Sequence, residues 1–383
     1  MKHKLLLNIE VCAILLYFFQ GGIYERGSKI PQLSVLLMLL ISLYYIIVYI
    51  QEWKKDKIGK SIILFVVITT ISWLFAPKYV YLDMERLSTL GELKNIYICL
   101  CSYFPFCIWT KMGLMKEVNL SRIIMMFWIV YVLGFFIKLS ETLSAEFWKE
   151  NVTNNGGYLL PLVFPLIGFI LEKKYSWLVL AASVLLTLAS AKRGAILCIS
   201  AEAAIFVWYK IKDNMNNKAI LLFMMFFVII LLILAYQYII SNEFLLNRFD
   251  SDSSGRDDIF SQAWKVFINA DIIHALFGYG LCQTVAKVGM FAHNDWLEIL
   301  VNQGLLGIVL YFSIFFSLYK GYKNIVKEMD FRYKCMYISA CTCFFLKSLF
   351  SMSINAPEAC MIMICIAISI NGQYIRTKKI KPL

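Results

Sequence analysis

Long apolar segments recur along the whole chain, separated by short connections that hold most of its charged residues. Runs of roughly 17–25 apolar residues are long enough to cross a hydrocarbon core of about 30 Å. Within lipid such runs must be helical, because every backbone amide needs a partner inside its own segment. The pattern predicts an all-α polytopic integral membrane protein with about 12 transmembrane helices. The predicted spans are 5–19, 33–50, 61–76, 96–111, 123–138, 158–171, 176–190, 195–209, 219–240, 305–319, 333–350 and 354–370.

The composition agrees with this class. Hydrophobic residues make up 60% of the chain and charged residues 16%, whereas soluble domains have about 45–50% and about 25%. The chain therefore has too few charges to cover a soluble globule. No internal repeat and no Gly/Ser-rich linker divides the sequence, so we expect a single membrane-embedded domain over residues 1–383.

Lysine and arginine are concentrated in alternate connections, which indicates how the chain crosses the membrane. Most of the 37 lie in the termini and in short connections on one side, and such connections face the cytoplasm. We therefore expect a multi-pass membrane protein with both termini in the cytoplasm. The net charge of +12 then reflects topology and not nucleic-acid binding, because the cations are scattered instead of forming one basic face.

One long connection, residues 241–303, lies between the ninth and tenth predicted spans and therefore on the outer face. Loops of this length are usually functional or disordered, and apolar residues such as Trp264 and Phe277 are not typical of disorder. From Ile259 to Phe267 the apolar positions recur at helical spacing. That spacing predicts an amphipathic helix that lies on the membrane surface or covers the bundle.

Basic residues occur at two predicted helix starts on the outer side. Lys192 and Arg193 lie between two apolar spans, where positive charge opposes the usual orientation rule. Snorkelling side chains would explain them, and an anion site built from the guanidinium and free helix N-terminal amides is the functional alternative. Arg256 follows a glycine in the outer loop; it either pairs with a neighbouring aspartate on the surface or binds an anion.

His293 is one of three histidines in the chain and precedes the predicted helix that enters the membrane near Gly304. It could cap that helix, or it could serve as a general base. Two outer arginines and one outer histidine at the membrane boundary suit a diphosphate leaving group and a proton acceptor. Further candidates for substrate contact are Lys192, Asn294 and three aromatic residues able to stack on sugars, Trp264, Tyr279 and Trp296.

Two further patterns are read as structural. Lys347 and Glu358 lie near the outer ends of the last two predicted spans, and we interpret them as an ion pair across the last hairpin. The eleven cysteines lie mostly within apolar spans, with no pair of CxxC motifs and no Cys/His cluster at metal-ligand spacing. Free cysteine behaves as a small apolar residue, so we expect packing roles, no metal site and no cofactor.

The segments SAKRGAIL, SGRDDIFSQAW, FGYGLCQ and HNDWLEILVNQGLLGIVLY, in this order within residues 189–319, resemble the O-antigen ligase/polymerase superfamily of bacterial envelope glycan enzymes. The resemblance implies an inverting, metal-independent glycosyl transfer on the outer face of the inner membrane. Its donor would be a glycan on undecaprenyl diphosphate. Arg193 and Arg256 would hold the diphosphate, and His293 would activate the acceptor hydroxyl, which makes residues 241–303 the outer catalytic loop.

The resemblance leaves several functions open. A Wzy-type polymerase would join lipid-linked repeat units of an O-antigen, capsule or exopolysaccharide, and the short chain favours this reading. A ligase would move the finished glycan to lipid A core. A transporter of lipid-linked sugars is a third class, but the inverted repeats and broken helices typical of that class are not evident in the sequence. Expected partners are the lipid-linked donor and acceptor, the bilayer and a chain-length regulator protein, with no nucleic acid.

Overall fold

A computed structural model describes residues 2–19, 29–82, 85–115, 117–144, 155–170, 172–173, 175–190, 192–213 and 256–376. The predicted span 219–240 and the first part of the outer loop, residues 241–255, lie outside the described residues. The extent of the single predicted domain therefore stays a prediction.

Helices dominate the described chain. The elements up to residue 213 are α1 (Lys2–Phe18), α2 (Lys29–Val48), α3 (Ile50–Lys55), α4 (Lys57–Leu74), β1 (Tyr79–Leu82), β2 (Glu85–Ser88), α5 (Thr89–Cys101), α6 (Tyr103–Lys111), α7 (Glu117–Ser144), α8 (Leu159–Val163), α9 (Ser176–Ala189) and α10 (Arg193–Asp213). Those from residue 256 are α11 (Arg256–Ile268), α12 (Ile272–Phe277), α13 (Gln283–Val288), α14 (Asp295–Asn324), α15 (Phe331–Phe350), α16 (Cys360–Ile370) and α17 (Gln373–Arg376). Short 3₁₀ helices span Asn155–Tyr158, Phe164–Ile170, Val326–Glu328 and Pro357–Ala359.

Five segments of the described chain are long and apolar enough to cross a membrane: Lys29–Val48, Lys57–Leu74, Leu120–Ile137, Arg193–Lys212 and Asp295–Glu328. The coarse prediction of an α-helical membrane protein is thereby confirmed. The number of about 12 spans stays a prediction, because several of the others are short or interrupted in the structure.

Three predicted spans are not continuous α-helices, and in one of them, 354–370, the α-helix begins only at Cys360, after the 3₁₀ helix Pro357–Ala359. Span 96–111 is divided at Ser102 between α5 and α6. Span 158–171 consists of α8 flanked by 3₁₀ turns. Proline at position 165 lacks the amide hydrogen that an α-helix needs, and Gly168 packs so closely on α15 that a Cβ would lie 2.8 Å from the Met336 nitrogen. Close packing, not hydropathy, therefore shapes this segment.

A short β-hairpin departs from the all-α prediction. β1 and β2 pair antiparallel, with Tyr79 opposite Ser88. The guanidinium of Arg86 lies 3.5 Å from the centroid of the Tyr79 ring, a cation–π contact that joins the two strands. The hairpin follows α4, between the predicted spans 61–76 and 96–111.

The last long hairpin forms the centre of the bundle. Every residue of α16 is buried, as expected of a helix that is hydrophobic all round. It packs against α15, which also contacts α10, while α14 packs against α4. Cys360 and Cys365 are fully buried and free, which confirms packing roles for these cysteines. The ends of α10, α14 and α15 position the candidate site.

Candidate functional site

The C-terminal end of α15 is the anchor of the site. The last carbonyls of a helix have no partner within it. Here two side chains supply one, and both belong to residues 256–303, the described part of the predicted outer loop (the outer segment). Arg256 donates from Nη1 to the carbonyl oxygen of Phe350 at 2.9 Å, and Asn294 donates from Nδ2 to the carbonyl oxygen of Leu349 at 3.0 Å. The starts of α11 and α14 are therefore held side by side on one helix end.

The N-terminus of α10 meets the same place. A Cβ at Gly194 would lie 2.0 Å from the Tyr158 hydroxyl oxygen and 3.6 Å from the Cβ of Phe350. Only glycine admits this close approach, which places Arg193, the first residue of α10, beside the anchor. The N-termini of α10 and α11 thus converge, and such helix ends carry partial positive charge and free amides that favour anions.

Tyr158 lies between two lysines. The Nζ atoms of Lys192 and Lys347 lie 5.8 Å and 5.2 Å from the centroid of its ring, within cation–π range. Lys347 is buried and donates to the carbonyl oxygen of Met352. The predicted pairing of Lys347 with Glu358 stays a prediction, whereas its contact with Tyr158 brings it to the site.

His293 directly precedes Asn294, which binds the anchor at the end of α15. Its imidazole keeps solvent access, although protein surrounds much of the ring. Burial lowers the pKa of His293 from its ordinary value, and the positive charges of Arg256 and Lys192 lower it further. The histidine is therefore neutral near pH 7, as a proton acceptor must be. The same effect shows that His293, Arg256 and Lys192, three of the residues predicted from sequence, lie near one another.

The alternative that His293 caps α14 is wrong. Asn294 is the N-cap, and its Oδ1 accepts from the Leu297 amide at 3.1 Å. His293 precedes the cap with φ 51°, in the left-handed region that most side chains avoid. Within the described part of the chain, no hydrogen bond engages its imidazole. A residue in a rarely populated conformation with an unengaged ring suits a chemical role better than a structural one.

Two buried carboxylates hold the loops around His293. Glu298 accepts from the amide of Ala292, the residue before the histidine. Asp295 accepts from the amide of Ser353 at 2.9 Å and from the Tyr311 hydroxyl at 2.8 Å, which ties the segment after α15 to the start of α14. The sequence block HNDWLE therefore has one histidine exposed to solvent and three polar residues that position it.

The two glycine-containing motifs of the resemblance pack against each other. Within α14, Gly304 adopts φ 65° and ψ −162°, which breaks the helix. The amides of Tyr279 and Gly280 donate to the carbonyl oxygens of Val301 and Asn302 at 2.9 and 3.0 Å. A Cβ at Gly304 would lie 2.6 Å from the Gly278 nitrogen. The outer segment thus docks by backbone contact on the break in α14.

The predicted sugar-stacking residues differ in accessibility. Trp296 stacks on Phe315 with centroids 5.5 Å apart and donates to Ser348 Oγ, so its ring serves the packing of α14 on α15. The Tyr279 ring stacks on His274 at 4.3 Å and lies 3.9 Å from the Nζ of Lys287. Both rings are occupied by protein groups, and their role in sugar binding stays a prediction without structural support.

Trp264 differs from these two, because half of its side chain is exposed. It lies on α11, which contains the stretch 259–267 that is predicted to be helical. Ile268, Ile272 and Phe277 are exposed as well, so α11 and α12 present an apolar surface of the kind that meets membranes or partners. Asp257 and Asp258 are exposed on the first turn of α11, and neither forms an ion pair with Arg256 within the described residues.

Three residues of the site were not assigned to it from sequence. Tyr158 lies at the start of an apolar segment and carried no signal except the preceding glycines. Lys347 is a charged residue within a predicted span, and the sequence pattern pairs it with Glu358 on the following helix instead of with the site. Glu298 belongs to the HNDWLE block. It accepts from the amide of Ala292, the residue before His293, and this contact explains the position of the glutamate in the block.

A protein-family model described as O-antigen ligase matches residues 178–312. A comparison with curated proteins finds no significant match. The matched segment contains Lys192, Arg193, Arg256 and His293, and it confirms the resemblance to the O-antigen ligase/polymerase superfamily. The family implies an enzyme with glycosyltransferase-like activity in envelope polysaccharide biosynthesis.

Proposed function

We propose that this protein transfers glycan between undecaprenyl-diphosphate-linked oligosaccharides and so polymerises a surface polysaccharide on the outer face of the inner membrane. One observation carries the proposal: Arg256 and Lys192 lie close enough to His293 to lower its pKa, and the N-terminus of α10, which begins at Arg193, lies beside the end of α15 that Arg256 contacts. A site of this kind offers concentrated positive charge for a diphosphate and a proton acceptor beside it.

In the proposed reaction, a hydroxyl oxygen of the acceptor sugar attacks the anomeric carbon of the donor. The bond between that carbon and the diphosphate oxygen breaks, and its electron pair leaves with undecaprenyl diphosphate. His293 accepts the proton of the hydroxyl as the new glycosidic bond forms. Attack from the face opposite the leaving group inverts the anomeric configuration. A positioned base of this kind contributes about 10²–10⁴-fold to rate.

The cations stabilise the leaving group. A guanidinium has five N–H donors, and Arg256 uses one described hydrogen bond to Phe350, so the rest of its fork is available to phosphate oxygens. Arg193 starts α10 and adds a second guanidinium next to free helix amides. Positive groups aimed at developing negative charge stabilise a transition state without the need to reorganise. In this proposal the protein's own cations balance the diphosphate charge, independently of a metal.

The matched family's description as O-antigen ligase supports a second candidate, transfer of the glycan to lipid A core by the same site. The polymerase and the ligase would differ only in the molecule that accepts the glycan. Deletion of the gene followed by gel analysis of the surface glycan separates them. Collapse of the ladder to one repeat unit indicates the polymerase that we propose, and complete loss of glycan from lipid A indicates the ligase.

The orientation belongs to the same proposal, because the donor is available on the outer face. Reporters fused after Lys57 and after Lys323 should report the cytoplasm, and one fused near Ser253 should report the outside. The basic residues in the corresponding connections motivate this placement. An outside signal at Lys323 would place His293 on the cytoplasmic side and contradict the proposed reaction.

A further inference from the structure

A cavity lined in part by charged residues lies at the opposite end of α14 from His293. It has a volume of about 330 Å³ and is half open, and it lies among the junction of α3 and α4, the end of α6 and the end of α14. From Asp295 to Lys320 the helix rises roughly 35 Å at about 1.5 Å per residue. The cavity is therefore separate from the His293 site.

Four lysines line this cavity: Lys55, Lys57, Lys111 and Lys320. Within the described residues, only Lys111 has a carboxylate partner, Glu52 at 3.7 Å. The Nζ of Lys320 lies 4.1 Å from the centroid of the Phe316 ring, a contact that leaves the ammonium without an anion. The cavity thus combines three ammonium groups that lack a carboxylate.

The other acidic residue of the cavity is already engaged. Asp56 accepts from the Ile58 amide at 3.0 Å through Oδ1 and from the Tyr103 hydroxyl at 2.7 Å through Oδ2. It caps α4 and holds α6 while it keeps its negative charge. The lining therefore has four lysines against two carboxylates, Glu52 and Asp56, and an anionic group would balance the excess of positive charge.

The surface that leads to the cavity is apolar. Val309, Phe312, Phe316 and Tyr319 are exposed on α14, at spacings that place them along one side of the helix. This stripe runs along a helix long enough to cross the membrane and ends beside Lys320. An acyl chain would lie against such a stripe, while its headgroup would reach the lysines.

We propose that this cavity binds a phosphate group, supplied by the headgroup of an anionic phospholipid in the adjacent leaflet. The lysines at positions 55, 57 and 320 hold the phosphate, and the stripe on α14 holds an acyl chain. A soluble phosphate compound has the same anionic group but no acyl chain that could pack against the stripe on α14. The apolar approach therefore favours the lipid.

Native mass spectrometry of the full-length protein in detergent tests the site. Phosphatidylglycerol should bind more tightly than phosphatidylcholine. The double variant Lys57→Gln/Lys320→Gln should weaken phosphatidylglycerol binding about fivefold per lysine, or roughly 30-fold in total. Lys57→Arg/Lys320→Arg should retain it, which separates loss of charge from loss of fold. The matched control is Lys323→Gln/Lys327→Gln, which removes two exposed lysines of the same connection outside the cavity and should leave binding unchanged.

Three results would overturn the proposal. Unchanged affinity in the double glutamine variant would mean that the cavity does not bind the headgroup. Equal weakening in the control variant would mean that general surface charge attracts the lipid. Displacement of phosphatidylglycerol by millimolar inorganic phosphate would assign the cavity to a soluble phosphate ligand instead of a lipid. None of these results depends on glycosyl transfer at His293.

Discussion

Replacing Gly304 with alanine should detach the outer segment from the break in α14. The backbone angles φ 65° and ψ −162° belong to a region that is essentially limited to glycine, and a side chain there costs about 1–3 kcal/mol. The new Cβ would also lie 2.5 Å from the carbonyl carbon of Leu276. Because that atom belongs to the backbone, a side-chain movement cannot relieve the clash.

The outer segment must therefore move and give up its backbone contacts. The amides of Tyr279 and Gly280 would lose their bonds to Val301 and Asn302, each worth about 1 kcal/mol. We expect a total loss of about 3–5 kcal/mol from strain and hydrogen bonds together. Gly289 provides a matched control, because it also has a positive φ, 89°, but a Cβ there meets nothing within 4 Å. Gly289→Ala should therefore destabilise the protein only through backbone strain.

Hydrogen–deuterium exchange measures the difference directly. In Gly304→Ala the amides of residues 279 and 280 should exchange at least tenfold faster than in wild type, since about 1.4 kcal/mol corresponds to a factor of ten. In Gly289→Ala they should keep their protection. Unchanged protection in Gly304→Ala, or equal loss in both variants, would refute the backbone docking of the outer segment on α14.

Three further predictions concern the chemistry. Arg193→Lys and Arg256→Lys should each lower turnover at least about tenfold, because a point charge does not reproduce the planar fork; full polymer length at normal expression would make the arginines simple anchors. The pKa of His293 is lowered by burial and by two cations, so activity should persist as the pH falls to about 6.5 and decline below it as the imidazole is protonated. Lys192→Gln removes one of those charges, raises the pKa of His293 and should shift the acid limb to higher pH, and an unshifted limb would contradict the assignment. Glu298→Gln keeps an acceptor for the Ala292 amide and should retain kcat, whereas Glu298→Ala should lower kcat with little change in KM; equal KM effects in both would indicate a role in substrate binding.

Much of the helical framework could be predicted from sequence, because hydropathy over about 20 residues is a local property. The predicted span 61–76 corresponds to α4, and 333–350 corresponds to α15. The interruption at Ser102 and the 3₁₀ turns around α8 could not be predicted in this way. They follow from contacts between helices, such as the close packing of Gly168 on α15, which hydropathy does not report.

Some residues of the candidate site could likewise be identified from sequence, and others could not. Lys192, Arg193, Arg256 and His293 can be selected from sequence because charge at the predicted outer boundary of the membrane is unusual. The charge effects on His293 agree with the proximity of Lys192 and Arg256. Tyr158 could not be found, because its position between two lysines joins segments that are far apart in sequence. Trp296 and Asn294 were chosen as polar or aromatic neighbours of His293, and the structure uses both of them for packing and capping.

The central claim is that His293 accepts the proton of the acceptor hydroxyl, and the turnover of His293→Asn tests it most directly. Asparagine tolerates the left-handed backbone that His293 adopts but cannot serve as a base, so fold and donor binding should survive. His274→Ala is the control, because His274 contacts Asp271 and stacks on Tyr279 and has no part in the proposed reaction. We predict that His293→Asn lowers turnover of lipid-linked donor about 10²–10⁴-fold while donor affinity stays unchanged. Wild-type turnover in His293→Asn would contradict it and remove His293 from the mechanism.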